Sequence, residues 1–316
     1  MQNITNEKII DKRTFDGANG NKICMEIDSV WNVVKIPAIR ENGIAANDSY
    51  TEYVGSHVAK LLGYEVHSTS LAKMDTPQGE KVVVVCEDVT NRYKSIELKI
   101  TPFYNIMNSL YKDERAGKDT KLTSILKACE EQTLVNPNKV REFVASTFAL
   151  DSLLGNFDRH NGNWGFIIPK NEKPVISPRY DFGSCLLSRA NDEIIKDILD
   201  PNSNALNQRI YQFPTAAVKD DKGNKIKYFE FWNTLKDNTY LSEGEKELFF
   251  TALENLKESY EENKESIEDF INFSPIPDLL KTFYKTYIDA RYEKIILHCY
   301  EANKDYFNDV EMEMEY

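Results

Sequence analysis

The chain has 316 residues, of which 41% are hydrophobic and 28% are charged, so it can form a buried core beneath a polar surface. Its 51 acidic and 39 basic residues leave a formal net charge of −12. This balance argues against a nucleic-acid-binding protein and against one bound to an anionic membrane surface, because both need clustered Lys and Arg.

The cysteines and the N-terminal residues indicate which cellular compartment suits this chain. The five cysteines are scattered and form no CxxC pair, so we expect reduced thiols in a cytoplasmic type of fold and no zinc site. No run of about 18 apolar residues predicts a membrane span. Residues 1–13 lack the apolar centre of a secretory signal, and a non-classical export route stays open.

The N-terminal part, residues 13–90, predicts a small β-rich layer. Ile23–Asp28 and Trp31–Ile36 are predicted strands, and Lys81–Cys86 is a valine-rich run typical of a buried strand. Between them, Ser49–Leu62 carries apolar residues at helical spacing, and Gly63 marks the end of that helix. The predicted order is strand, strand, helix, strand.

The rest of the chain is predicted to be mainly helical, which makes the fold class α+β. The predicted helices are Lys121–Gln132, Asn136–Leu154, a helix opened by the capping box Ser242–Glu245, and one or two helices over Ile276–Tyr306. Two short strands are predicted at Trp164–Ile168 and Val175–Ser177. Residues 111–120 are charged and carry Gly117, so they are predicted to be a loop or an exposed link. Residues 184–225 have no clear period and are predicted to be mixed and rich in loops.

The densest polar cluster follows the second of these helices. Asp158 and Asn163 are five residues apart, and Asp181-Phe182-Gly183 begins 18 residues after Asn163. Transfer of a phosphoryl group from ATP needs a carboxylate to accept the proton of the acceptor hydroxyl, and oxygen ligands for magnesium. Alone, either segment could be an ordinary turn or a polar loop at a helix end. Together, in this order, they predict a kinase site with Asp158 as the base and Asn163 and Asp181 as metal ligands.

The upstream half supplies candidate phosphate-binding groups. Lys35 ends a predicted strand, and Glu52 lies 17 residues later on the predicted helix, so the two are expected to form the ion pair that positions the phosphates. Glu41 is the rival partner, and Glu52 could instead be an ordinary solvated residue. A glycine-bearing segment that could approach phosphate comprises Gly17, Asn19, Gly20, Asn21 and Lys22. The adenine edge is expected to meet the backbone after the valine strand, at Glu87, Asp88 and Val89.

Two further polar residues are expected to support the catalytic loop. His160 could be a ligand or a base, but we favour a hydrogen bond that holds the loop so that Asp158 faces the acceptor. Asp151 lies on the preceding, mostly apolar helix, and a buried carboxylate needs a partner. The candidates for that partner are His160, Arg159 and backbone N–H groups.

The motif from Asn156 to Asn163, followed by Asp181-Phe182-Gly183, resembles the HipA-like kinases. The resemblance extends over residues 13–300 and includes Val34-Lys35-Ile36-Pro37 and the helix that bears Glu52. It implies a bilobal protein-kinase-like fold, with a small β-rich N-lobe over residues 1–90 and a larger, mainly helical C-lobe over 91–316. It also implies ATP- and Mg-dependent phosphorylation of Ser or Thr, including autophosphorylation, with Tyr left open. By matching position, Asp158, Asn163, Asp181 and Lys35 would be the base, the metal ligands and the phosphate lysine.

The chain departs from that family in two ways. Toxin members carry an extra N-terminal subdomain that meets a DNA-binding antitoxin, and only about a dozen residues precede the first lobe here, which makes an antitoxin partner doubtful. No Ala-Pro-Glu segment follows Asp181, so the usual rules of an activation segment do not transfer.

Two other functions stay open at this point. A phosphatidylinositol or small-molecule kinase would carry a similar Asp-Arg-His-x-x-Asn segment, although the acidic charge suits an anionic headgroup badly. A non-catalytic nucleotide-binding module is the second alternative. The protein substrate cannot be identified from the sequence, and neither can the modified residue.

Overall fold

The structure is a computed structural model that describes residues 1–10, 22–39, 45–93, 95 and 97–314, with only the backbone described for 308–314. The phosphate-loop residues Gly17, Asn19, Gly20 and Asn21, and the rival acid Glu41, lie outside the described residues. None of the described helices has both the length and the apolar character that crossing a bilayer requires.

The N-lobe is a twisted antiparallel sheet with one long helix. Its elements are β1 (Lys8–Ile9), β2 (Lys22–Ile27), β3 (Val30–Lys35), α1 (Asp48–Leu61), β4 (Thr69–Thr76) and β5 (Gly79–Glu87). The strand order is β1-β2-β3-β5-β4, so β3 and β5 are the central strands. Their register pairs Val34 with Val85 and Lys35 with Val84. Because side chains alternate across a strand, Val34 and Val85 lie on one face of the sheet, and Lys35 and Val84 lie on the other, which faces the main core.

Two strands of this sheet, the short β1 and the long β4, were not predicted. β4 pairs with β5 along its whole length, from Thr69 opposite Cys86 to Thr76 opposite Gly79. The hairpin closes through Thr76, whose hydroxyl donates to the carbonyl of Gly79, and Gly79 takes a φ of 95° that suits glycine. The order strand, strand, helix, strand was therefore incomplete, because β4 mixes Lys, Asp, Ser and Thr and shows no apolar run.

The C-lobe is larger and mainly helical. Its helices are α2 (Phe103–Tyr111), α3 (Leu122–Glu131), α4 (Pro137–Leu154), α5 (Asp192–Leu199), α6 (Ala205–Tyr211), α7 (Tyr228–Asn233), α8 (Glu243–Phe273), α9 (Asp278–Arg291) and α10 (His298–Met314). Its strands are β6 (Ile100–Pro102), β7 (Gly165–Ile167), β8 (Val175–Ile176), β9 (Thr215–Lys219) and β10 (Lys225–Lys227). β6, β7 and β8 form one small antiparallel sheet, and β9 and β10 form another.

Two stretches of this lobe that were predicted to be loops or rich in loops can be compared with the structure. The stretch 184–225 contains the short elements α5, α6 and β9 between loops, which agrees with the mixed stretch that was predicted. Residues 111–120 are irregular apart from a 3-10 turn at Ala116–Lys118, but Gly117 is buried rather than exposed. A Cβ at Gly117 would lie 2.4 Å from the carbonyl oxygen of Tyr104, so this turn packs against α2 without room for a side chain.

Helix α4 is the central element of the C-lobe and delivers the chain to the catalytic loop. Asn136 caps its start by accepting a hydrogen bond from the N–H of Asn138, and Pro137 occupies the first turn. Gly155 ends the helix in the left-handed conformation, with φ 64°. Leu150, Leu153 and Leu154 are fully buried in the main core, so the position of the following loop is fixed by packing.

Candidate active site

Lys35 joins the two halves of the site. Its Nζ lies 2.8 Å from Glu52 Oε2 on α1 and 2.8 Å from Asp181 Oδ1, which belongs to the C-lobe. The side chain of Glu52 is fully buried, whereas those of Lys35 and Asp181 are 18% and 25% exposed. The Lys35–Glu52 pair expected from the sequence is therefore present, and the same ammonium also contacts the Asp of Asp-Phe-Gly.

The three charges hold one another ionised. Burial alone would lower the pKa of Lys35, but Asp181 and Glu52 raise it well above its ordinary value. Burial likewise favours neutral Glu52 and Asp181, yet the charge of Lys35 outweighs it and lowers the pKa of both carboxyl groups. Lys22, which lies opposite Lys35 in the β2–β3 register, contributes to the lowered pKa of Asp181.

The second oxygen of Glu52 faces a small buried polar cluster. His67 Nε2 lies 3.1 Å from Glu52 Oε1, although the two atoms form no regular hydrogen bond. Cys86 on β5 is close by, and one ligand atom from each of the three residues lies within 4.8 Å of the others. Magnesium prefers oxygen ligands, so this set does not compete with Asp181 as a magnesium site. His67 and Cys86 surround the part of Glu52 that faces the sheet.

The Asp-Phe-Gly segment is packed tightly on α1. Asp181 has a φ of 64°, a left-handed conformation that Asp tolerates better than most residues. Phe182 is fully buried, and a Cβ at Gly55 would lie 3.0 Å from its Cβ. A Cβ at Gly183 would lie 3.1 Å from Glu52 Oε2. Both glycines thus permit the close approach of helix and loop that places Asp181 beside Lys35.

The catalytic loop presents Asp158 to solvent. Its side chain is exposed, while its backbone N–H donates to Asn156 Oδ1 at 3.0 Å. Asn163 is buried, and its Nδ2 donates to the carbonyl of Asp158 at 2.7 Å. This hydrogen bond brings the two predicted residues together and orients the Asn163 amide so that its Oδ1 is left as an acceptor.

Arg159 ties the catalytic loop to the Asp-Phe-Gly segment. Its Nε donates to Asp151 Oδ2 at 3.1 Å, and its Nη1 donates to the carbonyls of Asn163, at 3.1 Å, and Tyr180. Asn156 Nδ2 adds a bond of 2.9 Å to Asp151 Oδ1. Of the partners expected for Asp151, the structure selects Arg159. The two loops that carry Asn163 and Asp181 therefore share one buried guanidinium.

His160 sits on the exposed side of this loop. Its Nδ1 accepts a hydrogen bond of 2.9 Å from the N–H of Gly162, and its own N–H donates to the carbonyl of Asp158. These are contacts within the turn, which agrees with the loop-holding role that we favoured over a ligand or base. The role itself stays a prediction, as do those of Asp158, Asn163, Asp181 and Lys35.

The three residues predicted at the adenine edge differ in what they can offer. Asp88 is buried, its carboxylate accepts from the N–H and hydroxyl of Thr90, and its N–H donates to Trp31. Glu87 is exposed and its N–H donates to Ser68. Within the described residues, the N–H of Val89 donates to no protein acceptor. Val89 is thus the one of the three whose N–H stays available.

Sequence reasoning missed His67 altogether. It precedes β4, a strand that was not predicted, and it lies on no apolar stripe that would mark a buried position. Its position is fixed by a contact with a distant segment, because the N–H of His67 donates to the carbonyl of Arg179 at 3.0 Å. A single His without a motif gives no signal of such a contact.

Comparisons with known proteins agree with this geometry. No family model matches the chain. The serine/threonine-protein kinase CtkA of Helicobacter pylori is 34% identical over 294 residues, which are 92% of this chain and 84% of CtkA. A putative kinase of Sinorhizobium fredii, Y4dM, is 25% identical over 162 residues, which are 49% of this chain and 37% of that protein.

Solved structures show the same relationship. The crystal structure of the proinflammatory kinase CtkA of Helicobacter pylori has a TM-score of 0.82 and 33% identity, covering 95% of this chain and 97% of that chain. HipA of Shewanella oneidensis, with a TM-score of 0.51 and 13% identity over 92% of this chain and 68% of its own, shares the fold alone. The predicted α+β kinase fold is confirmed, and the chain belongs to the family of the serine/threonine-protein kinase CtkA.

Proposed function

We propose that this kinase depends on ATP and magnesium and transfers the γ-phosphate to Ser or Thr hydroxyls of proteins, including its own. The observation that carries the proposal is the position of Lys35, which contacts Glu52 and Asp181 at 2.8 Å each. Protein kinases need an ion pair between a strand lysine and a helix glutamate, and an Asp of Asp-Phe-Gly that binds the metal, and Lys35 contacts both of these acidic groups. The full burial of Glu52 distinguishes this pair from ordinary surface ion pairs, whose side chains are exposed.

The donor set fits magnesium. Asn163 Oδ1 and the Asp181 carboxylate are oxygen ligands of the kind that magnesium accepts, and the remaining positions would be filled by phosphate and water. Magnesium, when bound, would neutralise charge on the phosphates. Lys35 would neutralise phosphate charge as well, and Lys22 lies on the neighbouring strand. Gly17, Asn19, Gly20 and Asn21 are proposed to cover the phosphates.

Asp158 is proposed as the group that accepts the proton of the acceptor hydroxyl. Its exposed carboxylate can be reached by a protein substrate, and its backbone is fixed by Asn156 and Asn163 on either side.

The N–H of Val89 is proposed to meet the adenine edge. We place the lobe boundary between residues 90 and 91, so that the nucleotide lies between the phosphate-binding N-lobe and the catalytic C-lobe.

The test is incubation of the purified protein with γ-labelled ATP, with and without magnesium, followed by mass-spectrometric mapping of modified residues. We expect label on Ser or Thr only when magnesium is present. Asp158→Asn should lose transfer by about 10²- to 10⁴-fold, the usual contribution of a general base, and should bind ATP as the unchanged protein does. Unaltered autophosphorylation in Asp158→Asn would remove Asp158 from the mechanism.

A further inference from the structure

Four side chains next to Asp158 form a continuous row of cations and aromatic rings. Phe157 directly precedes Asp158, and its ring centroid lies 5.9 Å from that of Phe213. The guanidinium carbon of Arg189 lies 5.5 Å from the Phe157 ring, and that of Arg209 lies 5.9 Å from the Phe213 ring. We call Arg189, Phe157, Phe213 and Arg209 the Arg–Phe ladder.

The backbone beneath the ladder is fixed by the C-lobe core. Pro214 packs over the end of α4, where a Cβ at Gly155 would lie 3.1 Å from Pro214 Cγ. The carbonyl of Arg209 accepts hydrogen bonds from the buried side chains of Tyr287 and Arg291, at 3.4 Å each. These contacts hold the segment that bears Arg209 and Phe213 in place without any need for a bound partner.

The side chains of the ladder, in contrast, reach the surface, although Phe157 and Arg209 are half-buried. Phe213 is 40% exposed and Arg189 is exposed, although most large apolar side chains of the C-lobe are buried. Phe157 adjoins the proposed base in sequence and Phe213 stacks beside Phe157, so the ladder lies within reach of residues that flank an acceptor hydroxyl at Asp158. Exposed rings at such a position are typical of binding surfaces.

In the part of the chain that the structure describes, the two cations of the ladder have no acidic neighbour to neutralise them. The net charge is −12, yet within the described residues no carboxylate lies at ion-pair distance from either Arg189 or Arg209. Arg159, by comparison, is paired with Asp151. A guanidinium over an aromatic face keeps its N–H donors at the ring edge, where they can form bidentate bonds with a carboxylate or phosphate.

We propose that the Arg–Phe ladder selects acceptor segments with an acidic side chain next to the phosphorylated Ser or Thr. The inference rests on the proposed kinase function and adds the class of substrate. The rings would cover the apolar part of the acceptor backbone and side chains. The two guanidinium groups would each bind an acidic group, on either side of the hydroxyl.

The test uses three peptides that differ only in the residues flanking a single serine, which are Glu, Gln or Lys. Transfer from labelled ATP is measured as kcat/KM for each peptide. We expect the Glu peptide to exceed the Gln peptide about fivefold, the effect of an exposed ion pair, and the preference to shrink with added salt. Arg189→Ala and Arg209→Ala should each reduce the Glu-to-Gln ratio, and the double charge reversal R189E/R209E should favour the Lys peptide.

The ratio is formed within each variant, so a lower folded fraction cancels from it. Lys170→Ala removes an exposed cation from the turn between β7 and β8 and is the matched control, which should keep the ratio of the unchanged protein. Equal rates for the three peptides would overturn the acidic preference while the kinase function stands. Absence of transfer to every peptide and to the protein itself would overturn the proposed function.

Discussion

His67 and Lys35 contact different oxygens of the Glu52 carboxylate. His67 Nε2 lies 3.1 Å from Glu52 Oε1, while Lys35 Nζ lies 2.8 Å from Glu52 Oε2. Glu52 has no exposed surface and His67 is 6% exposed. Because His67 is the polar side chain nearest to the oxygen that does not contact Lys35, we infer that it is a positioning residue for the ion pair.

Replacement of His67 by Leu should reduce phosphate transfer while the fold persists. The loss of one contact to a charged group corresponds to a decrease in kcat/KM of about 10- to 100-fold. His67→Gln keeps a polar group at this position and should restore part of the activity. Measurement of kcat and of the KM for ATP separates the two effects, since a purely structural defect would lower the active fraction without a change in KM. Full activity in His67→Leu would contradict the positioning role.

The stability of the protein should depend on Glu52 in a pH-sensitive manner. Burial favours the neutral acid, but Lys35 and His67 lower the pKa of Glu52 well below its ordinary value of 4.5. A lowered pKa means that the ionised carboxylate stabilises the folded protein above the pKa of the unfolded chain, and that this contribution is lost as the pH falls below it.

The corresponding measurement is urea unfolding of the unchanged protein and Glu52→Gln over a range of pH. We expect the difference in the free energy of unfolding to be constant above a pH of about 5 and to shrink at lower pH. Glu80→Gln is the control, because the Glu80–Lys73 pair is about half exposed and should give a small difference. A difference for Glu52→Gln that does not change with pH would contradict the lowered pKa.

Lys35→Ala should impair both activity and stability. The substitution leaves Glu52 and Asp181 without their shared cation, so the two carboxylates repel each other across the cleft. We expect a rise in the KM for ATP, a decrease in kcat, and a lower urea midpoint. In the double variant Lys35→Ala/Glu52→Gln one of the two mutually repelling carboxylates is replaced by a neutral amide. The urea midpoint should therefore recover, while the activity should not. Additive losses of stability in the double variant would show that the two residues do not interact.

Much of this site could be predicted because its residues occur in spaced patterns. Lys35 ends a predicted strand, Glu52 lies on a helix with clear periodicity, and Asp181 stands in Asp-Phe-Gly. Local rules also located α4, whose start is marked by Asn136-Pro137 and whose end is marked by Gly155. In each case the signal lies within a few residues of the feature that it predicts.

The parts that escaped prediction depend on contacts between distant segments. β4 is defined by its pairing with β5 rather than by its own apolar residues. Helices α5 and α6 have eight and seven residues, too few for a clear period. The donation of Arg159 to the carbonyl of Tyr180 spans 21 residues and involves a backbone atom, which no residue pattern can mark. The contact of His67 with Glu52 also joins two separate segments, and no residue pattern marks it.

The Asp151–Arg159 pair should be the most costly ion pair to break. Both side chains are buried, and burial raises the pKa of Asp151 although Arg159 opposes this effect. Removal of one partner from a buried pair typically costs about 3–5 kcal/mol of unfolding free energy, because the other charge stays buried without compensation.

Asp151→Ala therefore tests whether one guanidinium couples the two loops of the site. We expect a loss of unfolding free energy of about 3–5 kcal/mol, measured by urea titration, against less than about 1 kcal/mol for the exposed control Glu80→Gln. The folded fraction of Asp151→Ala should also transfer phosphate slowly, because Arg159 donates to the backbones of both Asn163 and Tyr180 and loses its anchor. A stability loss equal to that of Glu80→Gln, with normal transfer, would show that Asp151 does not hold Arg159 in place.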